Sequence, residues 1–344
     1  LLIDDASPEV RMALARAIAH DPAPRFEPAL LALQKSLEKK RSPELGMEIA
    51  WAMGKMKCER FLPILVDLLA LQIEGSAARD ALADIGEPAL LHLDRVLSDP
   101  RTKNEVKWRI PRAMTMFEAK TVVPRLLHHL EHTKDGMLRF RILRALRRMR
   151  ATEPTLAIDR AILVRFAEST IEKVYQLVAW RLVAKTGEKT AALELVVTFL
   201  EDKEAHARGR LFLSLGLIHP NERFERIFRG LKSANPKTRA SSLELVENLV
   251  SPELKPALLP LVDDIPDAER LERCPARVRP ARVDFEDLMR LFAGRDDELE
   301  SFARYHRREL GLDAPSEPFD RAVETAPLLL ELKAHAERVH KETP

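Results

Sequence analysis

The chain has 344 residues, 46% of them hydrophobic, with only 11 Gly, 2 Tyr and 5% aromatic residues. That much apolar material excludes a disordered chain, and the dominance of Leu, Ala, Arg and Glu, strong helix formers, points to an all-α fold. Lys and Arg number 56 against 54 Asp and Glu, a formal charge of +2, which excludes a protein that is basic or acidic throughout.

Ser7 is a predicted N-cap, with Pro8 at the first helical position, Glu9 in the first turn, and Val10, Ala13, Leu14, Ala17 and Ile18 as an apolar stripe. Phe26–Lys39 reads as the next amphipathic helix. The Ser-Pro-Glu of 7–9 returns at 42–44 to start a helix through Met56. Phe61–Gln72 pairs with Ser76–Ile85, Glu87–Leu97 with Lys103–Phe117, and Thr121–Glu131 with Met137–Arg150. Two helices every 30–35 residues or so, without strand signals, predict an α-solenoid of antiparallel helix pairs.

Beyond 150 the rhythm loosens. Ile158–Lys185 reads as one long helix or a kinked pair, followed by Thr190–Leu200. His206–Ile218, Asn221–Leu231 and Lys237–Val250 restore the earlier pitch, and Ser251-Pro252-Glu253 repeats the triplet before Leu254–Val262. Pro266–Pro280, rich in charge and proline, marks a break. Phe285–Phe292, Asp296–Glu309 and Glu317–Lys341 read as helices after it. The predicted organisation is a solenoid over 1–265, less regular at 151–204, and a helical C-terminal cap or linker over 266–344.

The segments Ser7-Pro8-Glu9-Val10-Arg11, Ile85-Gly86-Glu87-Pro88-Ala89-Leu90 and Asn235-Pro236-Lys237-Thr238-Arg239 resemble the HEAT-repeat family. That resemblance implies a right-handed superhelix of helix pairs and is nearly silent on activity. Arg109-Ile110-Pro111-Arg112-Ala113, Leu138 through Leu146, Arg210-Leu211-Phe212 and Arg229-Gly230-Leu231-Lys232-Ser233 carry a narrower likeness. They resemble the soluble HEAT extension of bacterial membrane proteins related to ATP/ADP translocases of the major facilitator type. This implies a cytosolic arm next to a membrane domain, with no transport chemistry in this chain.

The charge is unevenly spread. Residues 101–150 hold 14 Lys and Arg against 4 Asp and Glu, a local +10. In Met137–Arg150 the residues Leu138, Ile142, Ala145, Leu146 and Met149 share one face, and arginines 139, 141, 144, 147, 148 and 150 take the rest. Upstream, Val106, Ile110, Ala113 and Phe117 share a face, Arg109, Arg112 and Trp108 point elsewhere, and Pro111 is expected to kink the helix. Arg109, Arg112, Arg141, Arg144 and Arg148 therefore form a predicted basic wall. Arginine forks suit phosphate or carboxylate groups because they donate paired hydrogen bonds. The plainer reading is a solvated face with internal ion pairs.

Other candidates fall away. His128 and His132 lie at i, i+4, but His129 stands where a zincin needs Glu and no third ligand is evident, so no metal is expected. Gly187-Glu188-Lys189-Thr190 lacks the glycines and preceding strand of a phosphate loop and reads as a turn. Cys58 and Cys274 have no metal or redox spacing and read as unpaired thiols of a reducing compartment, with Cys58 a small buried residue. Trp51, Trp108 and Trp180 read as packing residues. No nucleophile–base set or carboxylate pair stands out. No apolar run approaches about 18 residues and no signal peptide opens the chain, so this stretch reads as cytoplasmic, tethered at most through further sequence. A start at Leu rather than Met suggests a piece of a longer protein.

Together these features predict a non-catalytic protein-interaction scaffold with a basic concave surface and no cofactor. Its expected partner is an acidic protein segment, with anionic lipid headgroups or a nucleotide as other ligands of the same chemistry. The alternative is a nucleic-acid-binding protein with a groove like that of HEAT-like DNA glycosylases. It ranks behind because no acidic or aromatic catalytic group accompanies the arginines.

Overall fold

Helix starts in this chain are set by short polar side chains. Ser7 and Ser42 accept from the Val10 and Leu45 amides at 3.4 and 3.3 Å, while Pro8 and Pro43 fill first-turn positions that need no amide. Asp135, Thr190, Asn235 and Asp284 cap later helices in the same way. The third Ser-Pro-Glu triplet departs from the expected pattern. Ser251 Oγ is buried without a hydrogen-bond partner, and the next helix begins only at Lys255.

The computed structural model describes residues 3, 5, 7–39, 41–295 and 298–312; the helix expected at Glu317–Lys341 lies outside them. Among the described residues there is no strand, and the chain divides between Ile162 and Leu163 into two compact units.

In the first unit α1 (Pro8–His20), α2 (Glu27–Lys39), α3 (Pro43–Met56), α4 (Leu62–Leu68), α5 (Gly75–Ile85) and α6 (Glu87–Ser98) follow one another. After them come α7 (Asn104–Lys107), α8 (Ile110–Met114), α9 (Ala119–His132) and α10 (Gly136–Thr152). The second helices of successive pairs stack in one row, α1 on α3, α3 on α5, α5 on α8 and α8 on α10; α4, α6 and α9 form the other. This is an α-solenoid. A single pair cannot bury its apolar stripe alone, so each neighbour completes the core, with Ile49, Met53, Leu82, Ile110, Leu126, Ile142 and Leu146 wholly buried. The α3–α5 crossing is especially close: a Cβ on Gly54 would lie 2.6 Å from the Ala81 Cα.

Two elements differ from expectation. Phe61–Gln72 contracts to α4, which ends at Leu68. Lys103–Phe117 is not one kinked helix but two short ones. Trp108 and Arg109 form a tight turn, with the Arg109 amide bonding the Val106 carbonyl at 3.0 Å. Pro111 sits in the first turn of α8 rather than inside a continuous helix, the position its missing amide favours.

The second unit holds α11 (Arg160–Ala184) from Leu163 onward, α12 (Ala191–Ile218), α13 (Phe224–Leu231), α14 (Pro236–Leu249), α15 (Lys255–Val262), α16 (Asp267–Glu272), α17 (Phe285–Ala293) and α18 (Glu298–Glu309). Within this unit α12 packs on α13, α13 on α14 and α14 on α15, while α18 packs on α12 and on α17. The expected gap between Leu200 and His206 is absent. The polar run Glu201–Glu204 stays helical because Glu204 turns inward, 2.9 Å from Arg181 and 2.6 Å from Arg208. Trp180 packs edge-on to Phe292, and the Tyr175 hydroxyl donates to the buried Ala257 carbonyl at 2.9 Å.

Candidate anion-binding arginine cluster

Along the first unit, adjacent helices of one row are linked by opposite charges. Arg16 on α1 donates to Glu48 on α3 at 2.9 and 2.7 Å, and Lys55 on α3 meets Asp84 on α5 at 2.8 Å. In the other row Arg60 meets Glu27 at 2.5 Å, and Asp94 on α6 takes both Arg125 and His129 of α9, at 2.6 and 2.8 Å.

At α5, α8 and α10 that alternation stops. Arg79 on α5, Arg109 and Arg112 at α8, and Arg141, Arg144 and Arg148 on α10 have no ion-pair partner among the described residues. They lie near enough for their charges to act on one another. Burial first, then Arg109, Arg144 and Arg112, holds Arg141 below the usual arginine range. Arg79 is lowered by burial, then by Arg112, with Arg109 and Arg148 adding to the effect and Asp80 opposing it. Both remain cationic at neutral pH, as guanidinium always does in proteins. Arg148 acts on Arg79 although α8 stands between their helices in the row.

Exposure grades the set. Arg109, Arg112, Arg144 and Arg148 are exposed, whereas Arg79 and Arg141 are half-buried. The Arg141 Nε is buried without a hydrogen-bond partner. Arg144 leans over the Phe140 ring, 5.7 Å from its centroid, within cation–π range. The apolar stripe of α10 is committed to packing, with Leu138, Ile142, Ala145, Leu146 and Met149 all buried.

Trp108 holds this assembly in register. Its Nε1 donates to Asp135 Oδ2 at 2.7 Å, while Asp135 Oδ1 accepts the Met137 and Leu138 amides at 2.7 and 3.1 Å. One carboxylate thus caps α10 and ties the turn before α8 to it. The sequence reading assigned Trp108 to packing and gave no sign of this bond. It also missed Arg79, which stands beside Asp80 in a stretch without local basic excess. The available signal was repeat spacing, since Arg79 lies thirty residues before Arg109.

The remaining sequence candidates have structural roles. His129 is bonded to Asp94, and His132 Nδ1 lies 2.7 Å from the His128 carbonyl. Among the described residues no group of three or more potential ligands could hold a metal. Gly187 is required because a side chain there would overlap the Phe285 ring, and Thr190 caps α12. Cys58 is half-exposed rather than buried, its Sγ 3.6 Å from Glu27 Oε2. Cys274 is buried, which pushes its thiol up, against the pull of Arg279. No helix among the described residues is long and apolar enough to cross a membrane.

Residues 1–83 match the family model for HEAT repeats. The matched stretch takes in α1 through α4 and most of α5, including Arg79, and ends before the other five arginines. Repeats of this family generally serve as protein-interaction scaffolds. No curated protein matches the chain.

Proposed function

We propose that this chain is a protein-interaction scaffold that receives an acidic segment of a partner protein on the arginines of α5, α8 and α10. One observation carries the reading: opposite charges join α1 to α3 and α3 to α5, whereas these six arginines have no ion-pair partner among the described residues. Like charges held together cost stability, so their persistence fits a counter-charge supplied from outside. The helices fix the backbone positions of these arginines before binding, which lowers the ordering cost of association. The likeness of Arg109–Ala113 and Leu138–Leu146 to the helical extension of translocase-like membrane proteins supports a finer reading. In it the scaffold is the cytosolic arm of such a protein and meets an acidic segment at the membrane surface.

The test is titration of a fluorescent polyglutamate peptide into the protein and into the Arg112→Glu/Arg148→Glu variant, at low and physiological salt. The expected result is salt-sensitive binding by the native protein and none by the variant. Equal binding by both would refute the assignment. Duplex DNA as competitor covers the alternative: displacement of the peptide at lower concentration than free polyglutamate would favour a nucleic-acid ligand.

A further inference from the structure

We propose that the anion this cluster is built for is a phosphoryl group, carried on the partner segment as a phosphorylated side chain. The inference rests on the acidic-partner reading above and names the chemistry that distinguishes its ligand.

Three features of the site select phosphate over carboxylate. First, each of its six cations is arginine and none is lysine. A field that only attracts negative charge has no need of that uniformity, whereas tetrahedral oxyanions gain from planar forks that each donate two parallel hydrogen bonds. Second, the forks come from three helices that pack in turn, α5 on α8 and α8 on α10. A carboxylate offers two oxygens in one plane. A phosphate monoester offers three acceptor oxygens and close to two negative charges, so it can be met from several directions at once. Third, the site has depth. Arg79 and Arg141 are half-buried, Arg109, Arg112, Arg144 and Arg148 are exposed, and the Arg141 Nε is buried with its donor unused. A buried donor without an acceptor is costly, and an oxyanion reaching that depth would relieve the cost.

The same depth argues for a peptide over a lipid surface. A planar bilayer meets the exposed arginines more readily than the half-buried Arg79 and Arg141. The apolar face of α10 is used in packing, so the helix has nothing left to insert among acyl chains. A phosphoryl group on a flexible chain can protrude to the recessed pair.

The experiment is calorimetric titration of the full chain with two short Gly/Ser peptides. One carries two phosphoserines; the other carries glutamates in number to match its charge. The same titrations are run on Arg79→Lys and Arg141→Lys, which keep charge and lose the fork, with unfolding temperature as a check on folding. The expected result is about tenfold tighter binding of the phosphopeptide, a preference lost in both lysine variants while glutamate-peptide affinity stays within about twofold. Equal affinity for the two peptides would overturn the phosphate inference and leave the acidic-segment reading standing. Binding of neither would overturn both. Flotation with phosphatidic acid vesicles that succeeds where the phosphopeptide fails would also overturn the inference, in favour of a lipid phosphate.

Discussion

In the second unit Arg181 reaches Glu201, Glu204 and Asp267 at 3.1, 2.9 and 2.7 Å, and Arg208 joins Glu204 at 2.6 Å. Arg270 bonds the Pro260, Asp263 and Ile265 carbonyls at 2.9, 3.0 and 3.1 Å and pairs with Asp267. At α5, α8 and α10 of the first unit, Arg79, Arg109, Arg112, Arg141, Arg144 and Arg148 have no ion-pair partner among the described residues. The same residue type therefore holds helices together in one region and presents unneutralised charge in the other. What separates the roles is the presence of an inward acid on the neighbouring helix. Glu204 and Asp267 supply it between α11, α12 and α16, and among the described residues none of the six arginines at α5, α8 and α10 has such a partner.

The largest effect should come from breaking the paired side of this contrast. Arg181→Ala takes one of two cations from Glu204 and from Asp267, both mostly buried, and leaves them Arg208 and Arg270. It should destabilise the second unit by about 3 kcal/mol, the low end of the range for removing one partner of a buried pair, because each acid keeps a second cation. Urea unfolding should show the change; a midpoint within error of the native protein would mean that the network is ornamental.

A smaller loss is expected at the link that positions the unpaired side. Trp108→Phe keeps a smaller aromatic ring and deletes the donor to Asp135, which should cost about 1.5–3 kcal/mol for a hydrogen bond to a charged acceptor. Because the bond holds the turn before α8 to the cap of α10, polyglutamate affinity should weaken as well. Unfolding curves and titrations that both match the native protein would remove Trp108 from the positioning role.

A third and smaller expectation concerns pH. His306 is buried, with Nδ1 2.7 Å from the Thr190 hydroxyl and its ring edge-on to Phe285. Burial lowers its pKa from 6.5, opposed by Glu309 and Glu188. The unfolded chain thus takes up this proton at higher pH than the folded chain does. The stability from neutral His306 is fully present above about pH 6.5 and is lost as pH falls through the lowered folded value. Thermal unfolding between pH 7.5 and 5.5 should fall more steeply for the native protein than for His306→Gln. Parallel slopes would place the pH sensitivity elsewhere.

How far the sequence foretold this follows from where each signal lies. Helix starts at Ser7, Ser42 and Asn235 are local events, so the caps and the stacked pairs could be read directly. The α7–α8 break was only half visible: Pro111 announced a disturbance, but the turn at Trp108–Arg109 follows from the fit to α10. The continuous α12 was hidden for the opposite reason. Glu201–Glu204 looks like a solvated turn until Arg181, from another helix, gives Glu204 a buried partner. Five of the six clustered arginines stand in a locally basic stretch and were legible. Arg79, adjacent to Asp80, joins them through stacking alone. The absence of opposing acids was not legible either, since Glu105 and Glu118 are close in sequence and, among the described residues, form no ion pair with these arginines.

The central claim is that the α5–α8–α10 arginines contribute charge for a partner and none of the bonding that holds the fold. Calorimetric unfolding of Arg112→Gln/Arg148→Gln in the absence of ligand tests this most directly, because only mutual repulsion should be lost. The account predicts an unfolding temperature equal to or above that of the native protein. A drop of several degrees would contradict it and make these arginines structural, as Arg181 is in the second unit.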